Sequence, residues 1–235
     1  MNSTLLIILY AASAGFPIFL GGLISHTVAA RQFSLKDEVN HFIVAFGGGA
    51  LLSAIAFVLV PRAVENLPDP ALIALFLGGT LAFMGLDILS QRLGGSLSMV
   101  ISMMMDFIPE ALALGASFAH DQAFGLLIAI FIGLQNLPEG YNSYLELKES
   151  LSSKKVLILM FLLSFVGIFS ALFGEFVLSS HPRAVESVML FAAGGILYLV
   201  FQDVAPAAKI EKRWVPATGA GFGFLLGIIG EKMVG

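Results

Sequence analysis

Cysteine is absent from the 235 residues, and charged residues are scarce, at 12% of the chain. The absence of cysteine excludes disulfides and thiolate metal ligands, so any metal site must use oxygen or nitrogen donors. A soluble domain has roughly a quarter of its residues charged, and no charged block here is long enough to form one. The net charge of −4 sits mostly in short loops and says little about partners. No nucleic-acid partner is expected.

Hydrophobic residues make up 58% of the chain, and the mean hydropathy is +0.94. Apolar runs of about 18 or more residues recur along the whole length, which is typical of a polytopic membrane protein. No basic residue precedes the first run, which favours a first transmembrane helix over a cleaved signal. We therefore predict an all-α protein with one domain over 1–235. Its eight transmembrane helices are predicted at about 4–29, 42–66, 71–91, 96–119, 123–147, 155–178, 187–208 and 214–233.

Lysine and arginine are distributed unevenly between the loops. The odd-numbered loops hold nine of them, which are Arg31, Lys36, Arg92, Lys148, Lys154, Lys155, Lys209, Lys212 and Arg213. The even-numbered loops and the C-terminus hold Arg62, Arg183 and Lys232. Because cytoplasmic loops are enriched in basic residues, the odd loops are predicted to be cytoplasmic and both termini to lie outside. We expect an integral protein of a bacterial inner membrane.

Two segments, 46–63 and 191–208, match each other at a constant offset of 145 residues, and Pro61 aligns with Pro206. By the predicted orientation they cross the membrane in opposite directions, as in the inverted repeats of secondary transporters. The alternative is that helices rich in Gly and Ala look alike because both pack closely. With the prolines in register, we favour an inverted 3+2+3 repeat. Its parts are repeat one at about 4–91, central helices at about 96–147 and repeat two at about 155–233.

Acidic residues lie in the middle of the fourth and fifth predicted helices. Asp106 and Glu110 are four residues apart, and so are Gln135 and Glu139, which places each pair on one helical face. If the faces meet, three carboxylates and an amide carbonyl converge, and their repulsion requires a cation or protons. An all-oxygen set suits hard divalent ions. The alternative is a protonated or hydrogen-bonded cluster that only joins the helices.

Each of these helices also contains a proline directly before its glutamate, Pro109 or Pro138. Proline removes a backbone donor and displaces a helix, which would free the carbonyls of Met105 and Leu134. Free carbonyls at membrane depth are tolerated where they line a cavity. The Pro-Glu steps therefore predict a polar cavity between the two helices.

The segments 106–110 and 135–140 resemble the fourth and fifth helices of the Zrt/Irt-like (ZIP) family of divalent metal transporters, which carry two Pro-Glu segments in this order. The segments 46–63 and 191–208 resemble that family's second and seventh helices, so the resemblance covers nearly the whole chain. It implies a secondary transporter and not an enzyme. The substrate would be Zn²⁺ or Cd²⁺, or else Mn²⁺ or Fe²⁺, moved across the lipid bilayer toward the cytoplasm. A homodimer is a possible assembly.

Residue by residue, the resemblance assigns one metal site to Asp106, Glu110, Gln135 and Glu139. Asp106 stands where the family usually has His, which keeps a ligand but makes it harder and anionic. Asn136 stands at a usually acidic position of a second site and is also a candidate ligand. Phe107 stands where Asn is usual and cannot coordinate a metal.

Further departures lie outside this segment. Ile168 stands where the sixth helix of the family often has Glu, and Val58 and Arg62 replace the His and Glu of the second helix. We therefore expect a single metal site, with the second one lost or greatly weakened. Asp87 and Asp203 lie close to predicted cytoplasmic helix ends, where water reaches them, and we assign them no role.

Two other classes of function remain open at the level of sequence. An intramembrane enzyme would use the paired carboxylates as metal ligands or as acid and base. Neither a His-Glu-x-x-His motif nor a Gly-x-Ser-x-Gly motif is present in the chain. A channel-like or sensory protein would hold a single structural metal.

Overall fold

The computed structural model describes residues 3–29, 36–118 and 120–234, and within these residues every regular element is helical. The helices are α1 Ser3–Ala29, α2 Lys36–Ala54, α3 Pro61–Asn66, α4 Asp69–Leu93, α5 Gly95–Phe118, α6 Gln122–Ser150, α7 Ser153–Leu163, α8 Val166–Phe173, α9 Pro182–Leu199, α10 Ala205–Ala207 and α11 Val215–Val234. Arg31, and position 119 at the end of the fourth predicted helix, lie outside the described residues.

Within the described part of the chain, seven helical segments are long and apolar enough to cross a membrane. They are Ser3–Val28, Asp37–Asn66, Asp69–Leu93, Gly95–Phe118, Gln122–Ser150, Ser153–Leu178 and Pro182–Ala207. The eighth predicted segment forms α11, a helix of 20 residues that packs along α2. An all-helical membrane protein is therefore confirmed at this level. The main boundary differences are that the second segment begins at Lys36 and not near 42, and that the seventh begins at Pro182 and not near 187.

The described residues contain three π-helical turns, of which Gly174–Leu178 follows α8, while Ile55–Leu59 and Val200–Val204 occur at corresponding places in the two similar segments. In each of these last two turns a backbone N–H donates to a carbonyl five residues earlier. Pro61 and Pro206 lie just beyond them. A proline ring clashes with the carbonyl four residues before it, and a wider turn relieves that clash. These two turns recur at the offset of 145 residues at which the sequences match.

The prolines of the central helices behave differently, because α5 and α6 continue as α-helices through Pro109 and Pro138. The expected displacement of these helices at the Pro-Glu steps is not visible as a break in either helix. Both residues keep the helical backbone, and the glutamates that follow them stay on the faces that the i, i+4 spacing predicts.

The helices pack into two sets. The first helix set comprises α1, α5, α6, α7 and α8, in which α1 packs on α6 and α5 on α8. Glycines bring these backbones together: a Cβ on Gly140 would lie 2.2 Å from the carbonyl oxygen of Ile18, and one on Gly115 would lie 1.8 Å from that of Ala171. Such close approach is what small residues permit between membrane helices.

The second helix set comprises α2, α3, α4, α9 and α11, in which α2 packs on α11 and α4 on α9. A Cβ on Gly49 would lie 2.0 Å from the carbonyl oxygen of Ala220, and one on Gly194 would lie 2.0 Å from that of Phe76. The two sets meet where α2 packs on α6 and α9 on α5. The central helices α5 and α6 thus belong to one set and line its boundary with the other.

Candidate metal centre

The residues of the predicted first metal site are largely buried. Asp106 is 5% exposed, Glu110 2% and Gln135 1%, and Glu139 is half-buried. The first two lie on α5 and the other two on α6, and these helices pack against each other. Burying several carboxyl groups in an apolar bundle is costly, so a cation or protons must compensate the charge of this cluster.

The four residues interact directly. The Nε2 group of Gln135 donates a hydrogen bond to Oε2 of Glu110. The backbone N–H of Phe107 donates to Oδ1 of Asp106 at 2.7 Å. The carboxyl groups of Asp106 and Glu110 both lie near enough to that of Glu139 to interact with it electrostatically. The structure therefore brings together Asp106, Glu110, Gln135 and Glu139, as the spacing predicted.

These side chains are neighbours but do not form a complete coordination shell. In residues 3–29, 36–118 and 120–234, no three His, Asp or Glu side chains are arranged to hold a metal ion. Three buried oxygens of the cluster nevertheless have no hydrogen-bond donor in this part of the chain: Oε1 of Glu110, Oε1 of Gln135 and Oε2 of Glu139. Buried acceptors are rarely left unpaired, and a cation would satisfy all three.

Asn136 is placed apart from the cluster. Its side chain is fully buried and its Nδ2 group donates to the backbone carbonyl of Ala14 on α1, at 2.8 Å. Because Asn136 is the next residue after Gln135, the helix turns its side chain toward α1. In this arrangement it joins two helices of the first helix set, and its amide nitrogen is already used.

Phe107 fills the space between α1, α5 and α8. Its side chain is fully buried. A Cβ on Gly15 would lie 3.0 Å from the ring, and one on Gly167 would lie 2.4 Å from it. The ring therefore fits because both facing residues are glycine. Ile168, which follows Gly167, is only half-buried on α8.

A cavity of about 950 Å³ leads away from the cluster. Asp106, Gln135 and Glu139 line it at one end, and it extends to Ser150 and Ala207 near the ends of α6 and α10. These ends adjoin the fifth and seventh loops. The cluster is thus connected to the side of the odd-numbered loops, by a cavity that lies between the two helix sets and is lined by apolar as well as polar side chains, and not by a polar cavity between α5 and α6 alone.

Two acids that were assigned no role from the sequence, Asp87 and Asp203, also line this cavity. Asp87 is only 7% exposed, and its Oδ2 atom accepts a hydrogen bond from the hydroxyl of Tyr198 at 2.9 Å. Gln91 donates to both of its carboxylate oxygens. The signal in the sequence was that Asp87 is the one charged residue between 71 and 91. Its burial depends on α9, which the sequence did not place beside α4.

Comparison with known proteins gives one informative similarity. The chain is 33% identical over 145 residues to the zinc transporter GufA of Myxococcus xanthus. The aligned part covers 60% of this chain and 56% of the relative, so the chain spans little more than half of that relative's length. No family model matches the chain. The similarity to a zinc transporter confirms the resemblance that the two Pro-Glu segments indicated.

Proposed function

We propose that this protein is a divergent ZIP-like secondary transporter that moves a divalent metal ion through the boundary between its two helix sets. The observation that carries the proposal is the cluster of Asp106, Glu110, Gln135 and Glu139. It has unpaired buried oxygens and lies at the buried end of a large cavity. The similar zinc transporter supports metal transport in particular. Neither an enzyme nor a channel is favoured by any feature of the cluster or by that relative.

Zn²⁺ is the first substrate candidate, since the similar protein is named a zinc transporter. Cd²⁺ is the next, and Mn²⁺ or Fe²⁺ would suit the carboxylate and amide oxygens of the cluster. Glu110 and Glu139 are proposed as the central ligands, with Asp106 and Gln135 completing the site.

A single metal site is proposed. Phe107 supports it, because its buried ring offers no donor atom to a metal. Asn136 supports it as well, because its amide nitrogen is bound to the Ala14 carbonyl. Of the five candidate ligands, Asn136 is the one whose side chain is held on α1 through its nitrogen, while its buried Oδ1 accepts no hydrogen bond in the described part of the chain.

The proposed topology has eight transmembrane helices in an inverted 3+2+3 repeat. It is supported by the paired π-helical turns and by the close contacts at Gly49 and Gly194, which also lie 145 residues apart. With both termini outside, the cavity opens toward the cytoplasm of a bacterial inner membrane. Large apolar side chains such as Phe169, which is 73% exposed, would face the lipid.

Transport would proceed by alternating access, as the first helix set rearranges against the second. Protonation of the carboxylates would aid release, because it removes the charge that holds the ion. In the present arrangement the site communicates with the cytoplasmic side, so it corresponds to the stage at which an ion leaves.

The test is an uptake assay in proteoliposomes with Zn²⁺, Cd²⁺, Mn²⁺, Fe²⁺, Co²⁺ and Mg²⁺, each with the unaltered protein and with Glu139→Gln. We expect saturable Zn²⁺ or Cd²⁺ uptake, reduced roughly tenfold or more by the substitution because a ligand charge is lost. Glu65→Gln, at an exposed glutamate on α3, is the matched control and should leave uptake unchanged. No uptake of any ion would refute transport, and uptake that does not saturate would indicate a channel.

A further inference from the structure

An ion pair lies at the end of the molecule opposite the opening of the cavity. Nη2 of Arg62 is 2.5 Å from Oδ2 of Asp121, and the guanidinium carbon of Arg62 is 3.5 Å from the centre of the Phe124 ring. Asp121 precedes α6 directly, in the turn between α5 and α6, and Phe124 lies in the first turn of α6. One guanidinium is thus held by a carboxylate and an aromatic face together, and both of these interactions favour arginine.

This contact joins the two helix sets. Arg62 lies on α3 in the second helix set, whereas Asp121 and Phe124 belong to the connection between α5 and α6 in the first. The other side-chain hydrogen bonds that we observe at this end join residues of the same set. These pairs are Thr4 on α1 with Glu175 in the π-helical turn after α8, His120 beside Asp121 with Ser179 at the end of that turn, and Asn66 on α3 with Glu186 on α9.

Asp121 is oriented for this contact by the helix that it begins. Its Oδ1 atom accepts the backbone N–H of Phe124 at 3.0 Å as an N-cap, which directs Oδ2 toward Arg62. The N–H of Phe124, and after it the Arg62 guanidinium, hold the pKa of the Asp121 carboxyl below its usual value. Asp121 is therefore ionised at neutral pH.

We infer that Arg62, Asp121 and Phe124 form an outer latch, which keeps the outer end closed while the cavity is open on the opposite side. The inference rests on the proposed function, because it gives the latch a role in alternating access. For the acid cluster to face outward, the two helix sets must separate at this end, and Arg62 must leave Asp121. The carboxylate that is then released lies at the outer entrance, where it attracts an incoming cation.

The strength of the contact suits a latch that opens in every cycle. The side chains of Arg62 and Asp121 are 37% and 41% exposed. A partly exposed ion pair with a cation–π contact shifts a two-state equilibrium by about three- to tenfold. Removing it should therefore change the population of the outward-facing state measurably without unfolding the protein.

The absence of cysteine from the chain makes a labelling experiment clean. Ser117→Cys reports on the outer side, since Ser117 is buried on α5 two helical turns beyond Glu110 and on the same face. Ser102→Cys reports on the inner side, since Ser102 lines the cavity. Each reporter is combined with Arg62→Gln or with Asp121→Asn, and asparagine preserves the N-cap of α6. Labelling rates are measured with a membrane-impermeant maleimide applied from each side of oriented proteoliposomes.

We expect each latch substitution to raise outer labelling of Ser117→Cys by about three- to tenfold and to lower inner labelling of Ser102→Cys. Arg183→Gln, at another exposed arginine of this end, is the control and should change neither rate.

Unchanged labelling in both latch variants would overturn the latch, and so would equal increases at both reporters, which indicate unfolding. The assay contains no metal ion. A shift in labelling without any metal uptake would therefore refute the proposed transport and leave the latch standing. Metal uptake with unchanged labelling would refute the latch and leave the proposed transport standing.

Discussion

The side chain of Glu110 has a polar neighbour on one side and an apolar one on the other. Gln135 donates a hydrogen bond to one of its carboxylate oxygens, and Phe107, three residues earlier on the same helix, fills the space toward α1 and α8. The polar environment of this acid is therefore on the side of α6, where Glu139 also lies. A cation that binds Glu110 must compete with the amide N–H of Gln135 for that carboxylate oxygen. Gln135 therefore influences the affinity of Glu110 for the ion.

At this scale we predict that Phe107→Ala destabilises the protein by about 3–5 kcal/mol, because it removes a fully buried ring and leaves a cavity between three helices. The measurement is the free energy of unfolding in detergent micelles. Phe169→Ala is the control, since that side chain is 73% exposed on α8 and should contribute much less. Equal effects of the two substitutions would contradict the packing role of Phe107.

The helices are paired through glycines that allow their backbones to touch. Gly49 and Gly194 each leave room for a backbone carbonyl of the neighbouring helix, at which a Cβ would lie only 2.0 Å away. Membrane helices gain little from the hydrophobic effect within lipid, so close packing supplies much of their association. The integrity of the second helix set therefore depends on these contacts.

We accordingly predict that Gly49→Ala and Gly194→Ala each destabilise the protein by roughly 1–3 kcal/mol, since the added methyl group forces the helices apart. Gly85→Ala is a matched control in α4, where an added Cβ meets no other atom within 4 Å. Because alanine favours helix by about 1 kcal/mol over glycine, the control should be neutral or stabilising. Thermal unfolding of the three variants under one condition is the measurement, and a loss of stability in the control alone would oppose the prediction.

The molecule as a whole is asymmetric from one end to the other. The cavity opens beside the fifth and seventh loops, whereas Arg62 and Asp121 join the two helix sets at the opposite end. If the odd loops are cytoplasmic, the transporter proposed above is open inward in this arrangement. Under the proposed function, the orientation thus decides whether this arrangement would release an ion or capture one.

The orientation is tested with two single cysteines. We predict that an impermeant maleimide labels Ser180→Cys on intact cells and labels Ser152→Cys only after permeabilisation, because the lysines and arginines of the fifth loop favour a cytoplasmic position. Both serines are exposed. Labelling of both variants after permeabilisation is the control that each cysteine is reactive. Labelling of Ser152→Cys and not of Ser180→Cys on intact cells would reverse the proposed direction of transport.

Much of the architecture could be predicted from the sequence, because each of its signals acts locally. Apolar length predicted the helices, and the i, i+4 spacing of Asp106 with Glu110 predicted a shared face, since both depend only on helical geometry. The disposition of Asn136 toward Ala14 could not be predicted, because it depends on α1, which is more than a hundred residues away in the chain. The unbroken α5 and α6 at their prolines could not be predicted either, since local preference alone favours displacement.

The sequence by itself determined a helical membrane protein with acids in its two central helices, because hydropathy and helical periodicity are properties of neighbouring residues. Only the tertiary structure decided which acids share a cavity, which end of the molecule is open, and that Arg62 meets Asp121 across the boundary of the two helix sets. These features require helices distant in the chain to pack together. That packing is set by side-chain shape and by glycine contacts, which no local pattern of residues records.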